Sequence, residues 1–558
     1  MEPGSNHNVS QPLLVIATDS CLALTFVLVA LGFGGRAAIG QLFLVAGALA
    51  TTTCWLLHQL TAKERKYVWT GSEWLWALGI TVAAIQIIPL SQPWLVWLSP
   101  QLTEILPLMM TSGASEIIPG GWNQLSLAPA ETASGLATFA AYGLLFLVMV
   151  QRIQTLADVE KILCSAAFAS VAMGAFALVQ YKFSNDKFYW MVDHPFMTTS
   201  HCALGCFTNR NHLAQFLALG VGPLIWWILG RFHDQEQSGD NALPPPVHTV
   251  AVFVLLAGLA TTSLASLLCY SRGGLLSLTI ATVVSLGLLC RMGLASAKLV
   301  LGLSVAGAVI GVVFFVNGME TLEKRLEGTI ANSSDEGRYV IWQANIDVAR
   351  DFPWLGTGIG THADAYHLHF DQANEDSLEY THAECGYLQV ASESGMCGLA
   401  VAIAFILFSL RHTLRALWHH DLRYRSVAAA VLASLLANIC HAAFDFFWYT
   451  PSCMFLLAAQ LAAVTRISRS MVTASESEEL VAPGFRLPRL ITLASGCGLA
   501  ASGVWMLGHK IPAAQAEPDR MHYLCLAYQN TTEEDEDAES LDERGDCLIR
   551  AAKLDPSD

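Results

Sequence analysis

The chain has 558 residues, of which 54% are hydrophobic and only 14% charged, and a mean hydropathy of +0.46 lies outside the range of soluble globular domains. The net charge of −16, with no basic patch to neutralise a phosphate backbone, argues against nucleic acid as a partner. The composition is that of an all-α, polytopic integral membrane protein.

A bilayer core demands roughly 20 apolar residues of each helix, and the chain predicts about thirteen such spans. In order they cover 13–34, 38–59, 74–91, 133–151, 159–181, 211–230, 248–269, 273–291, 298–317, 396–411, 426–446, 451–466 and 489–508. The first has no basic leader and no small-residue cleavage site, so it reads as an anchor rather than a removed signal. Asp19 inside it has no explanation at this level.

Lys and Arg of short loops set orientation. Lys63, Arg65 and Lys66, then Arg152 and Lys161, Arg231, Arg291 and Lys298, Arg411 to Arg425, and Arg466 to Arg489 fall in alternate loops, predicted to be cytoplasmic. Loops 92–132, 182–210, 270–272, 318–395 and 447–450 then face the exterior, with the N-terminus inside and the C-terminus outside. Loop 92–132 carries Trp94, Trp97 and Trp122, suited to the headgroup belt. Loop 318–395 contains an amphipathic helix, RYVIWQANIDVARDF, with Tyr339, Ile341, Trp342, Ile346 and Ala349 on its apolar side, ending at Pro353 and a glycine-rich turn.

A polar linker, 468–488, precedes the last span, 489–508, and the tail 509–558 is acidic, with the run Glu533 to Asp546 reading as a solvated surface. MHYLCLAYQN and CLIRAAKLDPSD resemble the two helices of one tetratricopeptide-like repeat, which cannot bury its apolar face alone. Of fourteen cysteines none has zinc-binding CxxC spacing. Cys202 with Cys206, and Cys525 with Cys547, lie in exterior segments where an oxidising compartment would allow disulfides.

Four arginine- and acid-bearing patches fall on the exterior side: Phe207 to His212, Ser271 to Gly274, Gly337 to Gly360, and Thr381 to Gly398. Ionisable groups at a membrane boundary are expensive to place, so their convergence on one face marks a functional site. Together with HAAFDFFWYTP at His441, these patches resemble the O-antigen ligase and O-antigen polymerase superfamily, most strongly over 205–465. The domain reading follows: an N-terminal membrane region, 1–204, a ligase-like core, 205–467, then linker, last span and tail.

The resemblance implies a glycosyltransferase of the bacterial inner membrane, with its site on the periplasmic face. It would move a glycan from a polyprenyl-diphosphate carrier to an acceptor hydroxyl, with no cofactor and no required metal and usually with inversion. The implied partners are the lipid-linked glycan donor, a lipid A core or another glycan or protein acceptor, and the bilayer. Guanidinium groups bind phosphate oxygens through a bidentate, permanently charged fork, so Arg210, Arg272 and Arg338 are candidate donor-diphosphate ligands. Snorkelling to headgroups would explain an isolated Arg210 or Arg272, but Gly273 and Gly274, and Asn209 and Asn211, put both beside backbone that a ligand can approach. Arg338 is equally placed to pair with Asp335 or Glu336.

The family places a His, then a small polar residue, nine residues before Gly-x-x-Gly. Counting back from Gly395 and Gly398 puts Glu384 and Cys385 there, with His382 two residues earlier. Either Glu384 or a displaced His382 is the base. Asp445 is a candidate to orient a catalytic Arg, with a helix-end pairing equally open. Tyr387, Leu388 and Gln389 read as helix packing and local hydrogen bonding, and Glu393 as a cap or a structural pair. His362, His367 and His369 near Asp364 and Asp371 show no ligand spacing, and a solvated loop ranks above a metal site. Two other classes stand as alternatives: a small-anion transporter, which would want charges and broken helices at the midplane, and an envelope-assembly scaffold resting on the tail.

Overall fold

The computed structural model describes residues 10–62, 66–102, 104–105, 122–237, 246–294, 335–370, 380–470, 479–530 and 538–555. These are helical almost throughout, and the fold is the expected all-α membrane bundle. Eleven described helices are long and apolar enough to cross a bilayer. The span predicted at 74–91 is a shorter apolar helix, Ser72–Ile87. The one at 298–317 lies outside the described residues.

The helices that position the site are α1 (Ser10–Leu31), α2 (Ala38–Thr61), α3 (Ser72–Ile87), α4 (Pro129–Arg152), α5 (Leu156–Lys182), α6 (Arg210–Gln237), α7 (Arg272–Arg291), α8 (Asp335–Asp351), α9 (Gly386–Leu417), α10 (Leu422–His441), α11 (Pro451–Arg469) and α12 (Arg489–Asn530). Helix α6 is central: 83% of its apolar window is buried by protein, against 17% for α12 on the rim. Small residues allow that enclosure. A Cβ on Gly220 would stand 2.2 Å from Ser170 Cβ, and one on Gly222 2.6 Å from the Ala430 carbonyl oxygen.

Pro223 lies inside α6 and has no N–H, so the carbonyl of Leu219, four residues back, loses its helical donor. Neighbouring helices supply the replacement, as an apolar environment requires. Ser434 Oγ and Gln460 Nε2 donate to it at 3.0 and 2.9 Å. Asp19, unexplained by sequence, accepts from Arg152 at 2.6 Å, so a charge in the first span is matched by one at the end of α4. At that same end of the bundle a short antiparallel pair, Lys66–Tyr67 with Phe485–Arg486, ties the α2–α3 connection to the linker before α12.

Several expectations shift. The helix predicted within 318–395 forms, but its buried positions are Ile341, Ala344, Asn345, Val348 and Phe352, while Tyr339 is exposed. The i, i+3, i+4, i+7 stripe thus begins two residues later, because it packs on α9 and on Leu95, Leu102, Leu125 and Leu127 of the 92–132 loop. Trp94 and Trp97 are exposed, while Trp122 packs against that same leucine cluster. The last span does not stop at 508: α12 continues to Asn530 through Pro512 and Pro518, and the following helix, Ala538–Leu554, pairs with it through Arg550–Asp519 and Arg520–Asp555. Residues 531–537, which include the start of the acidic run, lie outside the described residues. Cys202, Cys206, Cys525 and Cys547 are free thiols.

Candidate active site

Helix starts bring the arginine patches together. Asn209 Oδ1 accepts from the Asn211 N–H at 2.8 Å, capping the entry to α6 where Arg210 begins the helix. Ser271 caps α7, its Oγ accepting from the Gly274 N–H at 2.9 Å. Gly273 and Gly274 serve helix packing rather than approach to a ligand: a Cβ on Gly273 would lie 2.4 Å from His441 Nε2, and one on Gly274 2.3 Å from Ala214 Cβ. Helix α7 packs closely on α6 and α10, and Arg210 feels the positive charge of Arg338 and then of Arg272.

Arg338, in the first turn of α8, reaches Glu384 rather than only its own helix: Nη2 lies 3.4 Å from Glu384 Oε2. Glu384 adopts φ +53°, a left-handed conformation uncommon for a side chain of this type. Such strain persists where surrounding structure over-determines it, commonly at functional sites. Burial, and then the carboxylate of Asp445, raises Glu384 to about 7 against the opposing pull of Arg338 and Arg36.

His382 stacks on Phe446 with ring centroids 4.1 Å apart. Its Nδ1 lies 3.3 Å from Arg36 Nη2 and 3.1 Å from Thr381 Oγ1. Burial and the Arg36 charge hold the imidazole neutral, well below its ordinary value. Arg36 also stands 4.9 Å from the Phe446 ring centroid, a cation–π contact. Burial lowers its guanidinium to about 10, so it stays charged at neutral pH.

Asp445 is fully buried; its Oδ2 accepts from Asn211 Nδ2 at 2.7 Å and its Oδ1 lies 3.0 Å from His212 Nε2. Burial alone would raise it; His212, His441 and Asn211 outweigh that and bring it to about 2, so it is ionised. His212 Nδ1 in turn meets Thr450 Oγ1 at 2.9 Å, and His441 Nδ1 meets Gln215 Oε1 at 2.8 Å.

A cavity of about 480 Å³ opens beside this cluster, with Arg36, His382 and Tyr449 at its polar end and Trp76, Phe139 and Phe405 among its apolar walls. It follows α9 from Gln389 to Ser409, roughly 30 Å at 1.5 Å per residue. Helix α9 breaks at Gly395, φ +61°. The glycine-rich turn fills that break: the Met396 N–H donates to the Pro353 carbonyl at 2.7 Å, and the Gly358 N–H to that of Glu393 at 2.8 Å. Glu393, buried, accepts from Tyr449 and Gln389 at 2.9 and 3.0 Å.

The histidine group near 362 does not join the site as a metal centre. His362 is buried against Tyr366 and Asn345 rather than solvated, and burial lowers it to about 4. His369 pairs with Asp351 at 2.7 Å. Asp371 lies outside the described residues, and no metal-holding group of three or more His, Cys, Asp or Glu occurs among the described ones.

Two site residues escaped the sequence reading, Arg36 and Phe446. Arg36 had one signal: it is a basic residue in GFGGR, a glycine-rich loop that the charge pattern assigns to the exterior.

Residues 251–403 match the family model described as O-Antigen ligase. The chain is O-antigen ligase-like over that segment, which contains Arg272, Arg338, His382 and Glu384 but not Arg36, Arg210 or Asp445. No curated protein matches the chain.

Proposed function

We propose that this O-antigen ligase-like membrane protein transfers a glycan from a polyprenyl-diphosphate carrier to an acceptor hydroxyl at the outer face of the inner membrane. The observation that carries the reading is a cluster at one end of a membrane bundle in which Arg338 pairs with Glu384, a carboxylate raised to about 7, while Arg210 feels the charge of both Arg338 and Arg272. Arg210, Arg272 and Arg338 hold the donor diphosphate and neutralise the charge that grows on it as it leaves. Glu384 takes the acceptor proton as the acceptor oxygen attacks the anomeric carbon. The bond from that carbon to the diphosphate oxygen breaks, and its electron pair leaves with the diphosphate. Attack opposite the leaving group inverts the anomeric centre.

Between the two base candidates, hydrogen bonding favours Glu384. A guanidinium only donates, so His382 Nδ1 must accept from Arg36 and its remaining proton sits on Nε2. An imidazole in that tautomer has no lone pair to spare. The apolar cavity offers a slot for the chain of a lipid-linked substrate. Ligation to a lipid A core is the leading outcome; polymerisation and transfer to a protein hydroxyl use the same chemistry. Charges gathered at one end rather than the midplane favour a transferase over an anion transporter.

The test is transfer from an undecaprenyl-diphosphate glycan to candidate acceptors by purified protein in EDTA, wild type against Arg272→Ala and Glu384→Gln. Transfer that survives EDTA and collapses in both variants supports the reading. No turnover with any acceptor, with donor binding unchanged in Arg272→Ala, overturns it.

A further inference from the structure

We infer that Arg36, on the turn between the first two spans, is a positioning residue of this site, fixing His382 as a donor at Nε2 and setting a permanent positive charge beside Glu384. The inference rests on the reading of Glu384 as the base.

The turn that carries Arg36 is held in place from two sides. Gly34 and Gly35 have φ +70° and +86°, and a Cβ on either would strike Phe207 at 2.6 Å or Pro451 at 2.5 Å. The turn is therefore wedged between the entry to α6 and the start of α11. From the other side the Glu517 carboxylate of α12 accepts from the N–H groups of Ala38 and Ile39 at 2.8 and 3.1 Å, clamping the start of α2 one residue beyond Ala37. Held there, the guanidinium meets His382 and the ring of Phe446, on which His382 is itself stacked. One cation thus orients the imidazole both directly and through a shared aromatic face.

The charged and titratable groups around Arg36 are His382 and Glu384 before α9, Asp445 between α10 and α11, and His212 on α6. Glu384 faces Asp445, Arg338 and Arg36. Asp445 opposes ionisation of Glu384, and Arg338 is the cation that a bound diphosphate would draw away. Arg36 is then the charge that keeps Glu384 able to accept a proton during the reaction.

The experiment titrates Glu384 in full-length protein in nanodiscs by the infrared band of its protonated carboxyl, assigned by its loss in Glu384→Gln, alongside the pH profile of transfer. In Arg36→Gln the band should persist to higher pH by about one unit, and the acid limb of transfer should move with it. Arg36→Lys, which keeps the charge, should restore most of the wild-type titration. If Arg36→Gln does not fold, Glu517→Ala decides, because loosening the turn should move the band the same way by less. An unmoved band in folded Arg36→Gln, or in Glu517→Ala where that variant must serve, overturns the inference. Absence of transfer in wild type would count against the proposed function, while the infrared titration would still decide the place of Arg36.

Discussion

Arg338 and Glu384 meet across 3.4 Å, joining the first turn of α8 to a residue just before α9 whose backbone is left-handed. The pair links the two halves of the proposed chemistry, a diphosphate ligand and a proton acceptor. Without donor the guanidinium neutralises the carboxylate; a diphosphate, with more charge and more acceptor oxygens, competes for the same fork. The base is thereby exposed only when a donor is in place.

Transfer should follow the ionisation of Glu384. Its value of about 7 places an acid limb near neutrality: activity rises as pH passes upward through that value and falls below it, where the carboxyl is protonated. Glu384→Gln should remove the limb and lower kcat by roughly 10²- to 10⁴-fold. His382→Ala should cost less and keep the limb. A larger loss in His382→Ala, with the limb gone, would move the base to the imidazole.

The left-handed backbone of Glu384 predicts a trade between stability and function. Glycine adopts φ +53° without the Cβ penalty, about 1 kcal/mol. It also removes a carboxylate whose raised value means that stability falls as pH rises from the unfolded value of about 4.3 through about 7. Glu384→Gly should therefore show a higher aggregation midpoint at pH 8 while being inactive, measured on the same preparation. A lower midpoint would mean that the pair with Arg338 outweighs the strain.

The arginines should respond to chemistry as well as charge. Arg210→Ala and Arg272→Ala should each reduce transfer by about 10²- to 10³-fold, the range for removing one preorganised group from a developing anion. Arg210→Lys should recover little, because an ammonium cannot bind two phosphate oxygens in a planar fork. Full recovery by lysine would reduce Arg210 to a long-range charge.

Much of this was legible in sequence because it is local. Twenty-residue apolar runs specify helices in a bilayer without reference to neighbours, and Arg210 and Arg272 announce themselves as charges at span ends, Arg338 and Glu384 as charges in the long loop 318–395. What the sequence could not convey is which groups face one another. In sequence Asp445 is open to orienting an arginine or to a helix-end pairing, and in the fold it accepts from Asn211 and lies 3.0 Å from His212, because α6 and α10 pack side by side. Gly273 looked like access for a ligand and is a seat for His441. Arg36 lies 346 residues from His382, and no periodicity spans that distance.

That seat makes the final prediction. A Cβ at Gly273 would stand 2.4 Å from His441 Nε2, and the imidazole cannot turn aside cheaply because its Nδ1 is bonded to buried Gln215 at 2.8 Å. The first turn of α7 must move instead, carrying Arg272 with it, at a cost of about 1–3 kcal/mol for overpacking. Gly273→Ala should thus weaken binding of an undecaprenyl-diphosphate lipid by about tenfold although no ligand-contacting side chain has changed. Gly287 on the same helix is the control: nothing lies within 4 Å of its added Cβ, so Gly287→Ala should leave binding intact and, by helix propensity, stabilise slightly. Equal binding in both variants would mean that α7 packing does not set the position of Arg272, and the arginine would then reach the diphosphate by its own length alone.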